Sequence, residues 1–240
     1  NAAGGGQATP GIVSPGSYIA IYGTGLAGSG NPSAASLPLP TNLNGTQLFL
    51  GGLPMPLLYA GAGQVNALVP EGITPNASYP LVVVRGNTVS VPVALTVTEL
   101  QPGAYTVDTS GSGAGIVTNA ATGALISSSN PAHAGDYLVI YCTGLGTLTG
   151  ENGETQPGDG AAAPADVIYH AAANVSVTIG GVSTPAAFAG LTPTFAGLYQ
   201  VNVRMPEGVA AGRAVPVAIT ASDPATGATA TSNPVTIAVE

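Results

Sequence analysis

Apolar residues along this chain fall in short runs of roughly four to eight positions, and most runs alternate with polar neighbours instead of recurring at helical spacing. Glycine, proline, asparagine or serine closes each run, and 35 Gly and 21 Pro in 240 residues leave no room for a long helix. Tyr18-Ile-Ala-Ile-Tyr22, Thr46-Gln-Leu-Phe-Leu50, Gln64-Val-Asn-Ala-Leu68 and Val91-Pro-Val-Ala-Leu-Thr-Val97 are rich in the β-branched and aromatic residues that suit a pleated, half-buried surface, so strands are predicted there. Within Tyr18–Tyr22, Ile19 and Ile21 share one face and the tyrosines the other. Leu138, Ile140 and Cys142 continue the aliphatic pattern in a later run, which assigns that face to the core.

The strands recur in order. Gly16-Ser-Tyr-Ile-Ala-Ile-Tyr-Gly-Thr-Gly-Leu26 returns as Gly135-Asp-Tyr-Leu-Val-Ile-Tyr-Cys-Thr-Gly-Leu145, and Gln64-Val-Asn-Ala-Leu-Val-Pro-Glu-Gly72 returns as Gln200-Val-Asn-Val-Arg-Met-Pro-Glu-Gly208. Between them, Thr46–Gly52 answers to Ser176–Gly181, and Val91–Val97 to Asn233–Val239. Two ordered sets of short strands joined by turn clusters predict an all-β protein of two tandem immunoglobulin-like β-sandwich domains arising from an internal duplication. The boundaries fall at 1–99 and 100–240, with an N-terminal extension over 1–13. Residues 102–127 form an added hairpin in the second domain, turning at Asn119-Ala-Ala-Thr-Gly123. The short, proline-bearing junction Glu99-Leu-Gln-Pro-Gly103 predicts a rigid connection.

Charge is scarce. The chain has 3 basic and 11 acidic residues and a net charge of −8, and Asn1 to Pro70 contains no ionisable Asp, Glu, Lys, Arg or His. Arg85, Arg204 and Arg213 are too few and too scattered to displace the counterions of a nucleic acid, so no nucleic-acid partner is expected. No apolar run reaches the roughly 20 residues of a spanning helix, and no membrane insertion is expected. One cysteine excludes an internal disulfide, and Cys142 reads as a small buried hydrophobe. No signal peptide stands at Asn1, although removal of one would leave such a start; the Thr/Ala/Gly-rich, lysine-free composition points to an extracellular or cell-surface location.

Candidate chemistry is sparse. His133 and His170 have no partners at the spacing of a hydrolytic triad or a zinc site, and they read as loop or surface histidines. The turns at Gly23-Thr-Gly25 and Gly111–Gly115 lack the lysine and following helix of a phosphate loop. The densest acidic stretch, Gly150–Gly160, offers Glu151, Glu154 and Asp159 as weak calcium candidates on a glycine-rich loop whose spacing is not that of an EF-hand. Asn44, Asn76 and Asn174 begin N-glycosylation patterns. Gln64 with Asn66, and Gln200 with Asn202, place paired amides on one face of corresponding strands and are the interface candidates. No catalytic group and no cofactor are expected.

These motifs carry a resemblance. Asn1-Ala-Ala3, Pro15-Gly16 through Leu26-Ala27, Leu57-Leu-Tyr-Ala60 with Gly63-Gln-Val-Asn66, Pro102-Gly103, Asn130-Pro-Ala132, Tyr141 through Gly146 and Gly197-Leu-Tyr-Gln-Val-Asn202 resemble the Solibacter C-terminal domain family of acidobacterial surface proteins. Each half is also similar to a TIG (IPT) immunoglobulin-like domain, whose opening strand ends in a turn like Gly23-Thr-Gly-Leu26. Cys142 and Ala104-Tyr105 depart from the family pattern. The resemblance implies export and a sandwich fold and carries no catalytic residues.

The sequence therefore predicts a non-enzymatic extracellular structural protein that self-assembles with copies of itself into a filament or layer. Low charge lowers both repulsion and desolvation cost on assembly, and sandwich edges can be completed by another subunit. Gly4 to Val13 is the candidate donated strand. Without lysine no isopeptide crosslink can form, so assembly is expected to be noncovalent. The alternative is a monomeric adhesion or glycan-binding module of the cell surface, which would present an exposed tyrosine cluster.

Overall fold

A computed structural model describes residues 11–30 and 32–240. Among the described residues the chain is all-β, with twenty-one strands and no helix. Ile12–Val13, Val93–Val97, Ala77–Arg85, Thr46–Leu50 and Leu53–Pro54 lie side by side in one sheet, with Thr88–Val89 also on Ala77–Arg85. A three-stranded sheet of Tyr18–Tyr22, Gln64–Leu68 and Leu57–Ala60 completes the N-terminal part. The buried faces meet in a core that joins Ile19, Leu57 and Val65 to Leu48, Leu50, Leu81 and Val97. Ile21 packs against the same core and Tyr22 points to solvent, so the aliphatic face is the inner one.

The C-terminal part repeats the arrangement with more strands. Tyr137–Thr143 pairs with Tyr199–Arg204, followed by Phe188–Leu191, Tyr169–Ala171 and Leu148–Gly150. The other sheet holds Val182–Pro185, Asn174–Ile179, Gly212–Ser222, Thr229–Thr231 and Val235–Val239. Between them Leu138, Ile140, Cys142, Val201 and Val203 join Val177, Ile179, Val217 and Ile219 in a second, larger core.

The repeated segments pair in one register. Tyr22 stands opposite Gln64, and Tyr141 opposite Gln200. Leu50 stands opposite Leu81, and Ile179 opposite Val217; Pro80 faces Ala94, and Pro216 faces Thr236. Because a one-residue slip would exchange the inner and outer faces, a shared register gives both parts the same buried positions.

One edge differs. The outer side of Tyr137–Thr143 is covered by Gly103–Ala104 and Val117–Asn119, with Thr118 opposite Val139. The cover extends through the Tyr141 amide, which donates to the Ile116 carbonyl at 3.2 Å, and the Ala120 amide, which donates to the Tyr137 carbonyl at 2.8 Å. Asn119–Gly123 turns this segment back on itself, the Gly123 amide donating to the Asn119 carbonyl at 2.8 Å. Tyr18–Tyr22, by contrast, pairs with Gln64–Leu68 alone among the described residues.

Of the candidate donated segment, residues 4–10 lie outside the described residues, and Ile12–Val13 runs parallel to Thr96–Val97 of its own chain. The two parts are locked together at a seam. Tyr18, Leu39, Leu68 and Ala196 form a small apolar cluster across it. The Tyr18 hydroxyl donates to the Ala196 carbonyl at 2.9 Å, the Tyr18 amide to the Thr143 hydroxyl at 3.0 Å, and the Leu39 amide to the Gly160 carbonyl at 2.8 Å. The Glu71 amide donates to Asp159 Oδ1 at 2.8 Å, and the Thr226 hydroxyl to Glu99. At Gly197 the backbone has φ +59°, and a Cβ there would collide with Leu68, so the approach requires glycine.

Candidate functional site

Beside the seam, the outer face of the three-stranded sheet and the cover segment of the C-terminal part enclose a cleft of about 700 Å³. Strand alternation sends Ile19 and Ile21 inward and so delivers Tyr18, Ala20 and Tyr22 to this cleft. Gln64 and Asn66 reach it from the next strand and Leu58 from the one beyond. Tyr105, Thr106 and Ile116 of the cover segment, together with Tyr141, build the opposing wall, while Leu37 and Phe195 stand at its margin. Five of the chain's twelve aromatic rings, Tyr18, Tyr22, Tyr105, Tyr141 and Phe195, thus gather in one place.

Among the described residues, no charged side chain lines the cleft. Tyr22 keeps 71% of its surface exposed and Phe195 52%, so apolar area faces solvent without a cover. Burial pushes the Tyr18 hydroxyl up to about 12, and burial, with Tyr18 beside it, pushes Tyr105 well above the usual tyrosine range. Both remain neutral hydroxyls at physiological pH. The Gln64 amide donates to Asn66 Oδ1 at 2.8 Å, which spends one donor and one acceptor and leaves the Gln64 carbonyl and the Asn66 NH₂ to the cleft.

The floor of the cleft is also a strand edge. Because the Tyr18 amide turns away from Gln64–Leu68 to reach Thr143, alternation points the amides and carbonyls of Ala20 and Tyr22 the same way. Among the described residues, no backbone group meets them. The cleft therefore offers main-chain hydrogen bonds along its floor and aromatic surface on its walls.

The other candidates lie elsewhere. Gln200 donates to Asn202 Oδ1 at 3.2 Å, repeating the amide ladder, but the pair is outside the cleft. Glu151, Glu154 and Asp159 are not brought together, and among the described residues no group of three acidic, histidine or cysteine side chains could hold a metal ion. Glu154 accepts from the amide and side chain of Asn152 at 2.9 and 3.1 Å, and hydrogen bonds to its carboxyl, first from its own backbone amide and then from these Asn152 donors, hold it below the ordinary range. Asp159 is spent on the seam.

His133 sits 3.6 Å from Asp136, and His170 packs edge-on against Phe188 at 5.3 Å, so the two histidines serve separate local contacts. Cys142 is fully buried, and burial pushes its thiol well above the ordinary value. The side-chain amide of Asn44 donates to the Gly28 and Ala60 carbonyls at 3.3 and 3.1 Å, which ties that glycosylation candidate into its turn.

Of the paired amides singled out in the sequence, Gln64 and Asn66 line the cleft; the aromatic residues around them were not singled out as a group. The alternation of Tyr18 and Tyr22 was a signal for one wall; the apposition of residues 105–116 was not visible in local patterning. No family model matches the chain, and no curated protein matches it.

Proposed function

We propose that this chain is a non-enzymatic structural protein of the cell exterior that assembles with copies of itself into a filament or layer. The observation that supports this reading is the open edge at Ala20–Tyr22, bordered by an uncharged aromatic cleft. Open edges and exposed apolar surface are what another polypeptide completes, by main-chain pairing for affinity and side-chain pockets for specificity. The hydrogen-bonded seam supports the same reading, since a stiff two-sandwich unit transmits geometry from copy to copy. Assembly is noncovalent: no lysine is available for an isopeptide bond, and Cys142 is sealed in the core. The proposed cell-surface location follows from the resemblance to the Solibacter family, which implies export, and from the lysine-free composition.

Electron microscopy of the native material, with sedimentation across a concentration series, tests this. Regular fibres or sheets and a mass that grows with concentration are expected. A monodisperse single chain at high concentration overturns it. Because so few charges are present, assembly should change little between low and high salt.

A second reading is favoured by one observation, the gathering of Tyr22, Tyr105, Tyr141 and Phe195 beside the Gln64 and Asn66 amides. Rings for stacking and amides for hydroxyls suit a neutral glycan held by a monomeric adhesion module. With no tryptophan to mask tyrosine emission, titration with neutral oligosaccharides would show this as a saturable fluorescence change.

A further inference from the structure

Resting on the self-assembly reading, we infer that the cleft receives the exposed extended segment 88–93 of a second copy, from strand Thr88–Val89 to the start of strand Val93–Val97, making a head-to-tail contact. The donor is visible on the same chain. Val89, Val91 and Val93, spaced two apart, are 62%, 83% and 59% exposed, an unusual apolar run for a surface. The segment is used on one side only: Val89 stands opposite Val84, Val93 opposite Leu81, and the Ser90 amide donates to the Val83 carbonyl at 2.9 Å. Among the described residues its other side is unpaired until the Thr96 amide meets the Gly11 carbonyl.

Donor and acceptor match in three respects. The C-terminal part already covers the corresponding edge with an extended segment, setting Thr118 against Val139, so the chemistry that completes this edge is a strand. Neither surface carries a charge: Gly86 to Ala94 has none, and among the described residues none lines the cleft, so docking strips water from no ion. Both are apolar: a row of exposed valines on one copy and an aromatic-walled cleft on the other, each able to bury the other's area. Pro92 has no amide hydrogen, which limits main-chain pairing to Thr88–Val91 against Ala20–Tyr22. The remaining affinity comes from valine burial.

Because strip and cleft are different surfaces, the contact is heterologous: each copy that docks its strip presents a fresh cleft, and the series runs on unless its rotation closes a ring. A short strand-in-cleft contact is below the size of a stable dimer interface, which suits an assembly held by many weak repeats.

The experiment uses two variants of the full chain, Val91→Glu and Tyr22→Glu, each at an exposed position that leaves the cores untouched. Each alone should raise the concentration needed for assembly at least about tenfold, since a buried unpaired charge replaces favourable apolar contact. Mixed in equal amounts they should stop at two-chain species, because the intact strip of one meets the intact cleft of the other and neither product can extend. Val91→Glu assembling like the parent overturns the inference while leaving self-assembly standing. So does loss of assembly on deleting residues 1–10 with Val91→Glu unaffected, which would assign the cleft to that segment, and so does a neutral oligosaccharide that fills the cleft of assembled material without dispersing it. A parent chain that stays single at every concentration overturns the inference together with the reading beneath it.

Discussion

Tyr18–Tyr22 and Tyr137–Thr143 pair with their neighbours in one register, yet among the described residues the first has no strand on its outer edge and the second is covered by residues 103–119 of its own chain. The two strands have nearly the same residues, so strand chemistry does not decide which edge is finished. What decides it is whether nearby chain is present to pair. Gly115–Ala120 supplies it for Tyr137–Thr143; at the other edge, among the described residues, the Thr143 hydroxyl alone reaches across, to the Tyr18 amide. The same segment that closes one edge also walls the cleft beside the open one. Among the described residues, a sandwich whose edge is completed from within its own chain is thus joined, through the seam at Tyr18, Leu68 and Ala196, to one whose edge is not.

Proline separates the two edges most sharply. Val139→Pro removes an amide from a ladder flanked by the Tyr141–Ile116 and Ala120–Tyr137 bonds, and should cost about 3 kcal/mol or more in chemical denaturation. Ala20→Pro at the matching position removes a donor that has no partner among the described residues, and should cost under about 1 kcal/mol. It should nonetheless block assembly. Equal losses of stability would break the comparison.

Next in size is the seam that holds the open edge in place. Gly197→Ala forces a side chain onto a left-handed backbone and against Leu68, for an expected loss of about 2–3 kcal/mol. Tyr18→Phe removes only the hydroxyl bond to Ala196, and a loss of about 1 kcal/mol is expected on denaturation.

A further test is one of pH. Burial, then the neighbouring Asp159 carboxylate, push the Glu71 carboxyl from 4.5 up to about 8. The folded chain therefore keeps this proton where the unfolded chain has released it. Its contribution is fully present below 4.5 and is lost as pH rises through about 8. Melting temperature should fall across that window, by about 2–4 °C per kcal/mol for a chain of this size, and Glu71→Gln should flatten the profile. An unchanged slope in the variant would remove Glu71 from the account.

Much of the fold was legible in the sequence because strand identity is written locally. The alternation in Tyr18–Tyr22 and Gln200–Arg204, closed by glycine and proline, fixed both the elements and the inner face. The paired recurrences gave register, since Gln64 and Gln200 each stand two residues from an asparagine on the outer side. The site was only half legible. Gln64 and Asn66 could be placed on an outer face, but the wall opposite comes from Tyr105 and Ile116, whose position depends on how one sandwich seats on the other. That seating rests on Gly197, Leu68 and Ala196, which carry no local periodicity to read. Glu151, Glu154 and Asp159 were near in sequence and drew attention for that reason, yet a turn and the seam claim two of them separately.

Completion of the Ala20–Tyr22 edge by another copy can be read by amide hydrogen exchange compared between assembled and dispersed material. The account predicts that the Ala20 and Tyr22 amides exchange quickly in the dispersed chain and slow on assembly, while those of Val139 and Tyr141 stay protected in both. Fast exchange at Ala20 and Tyr22 within well-formed assemblies would contradict it.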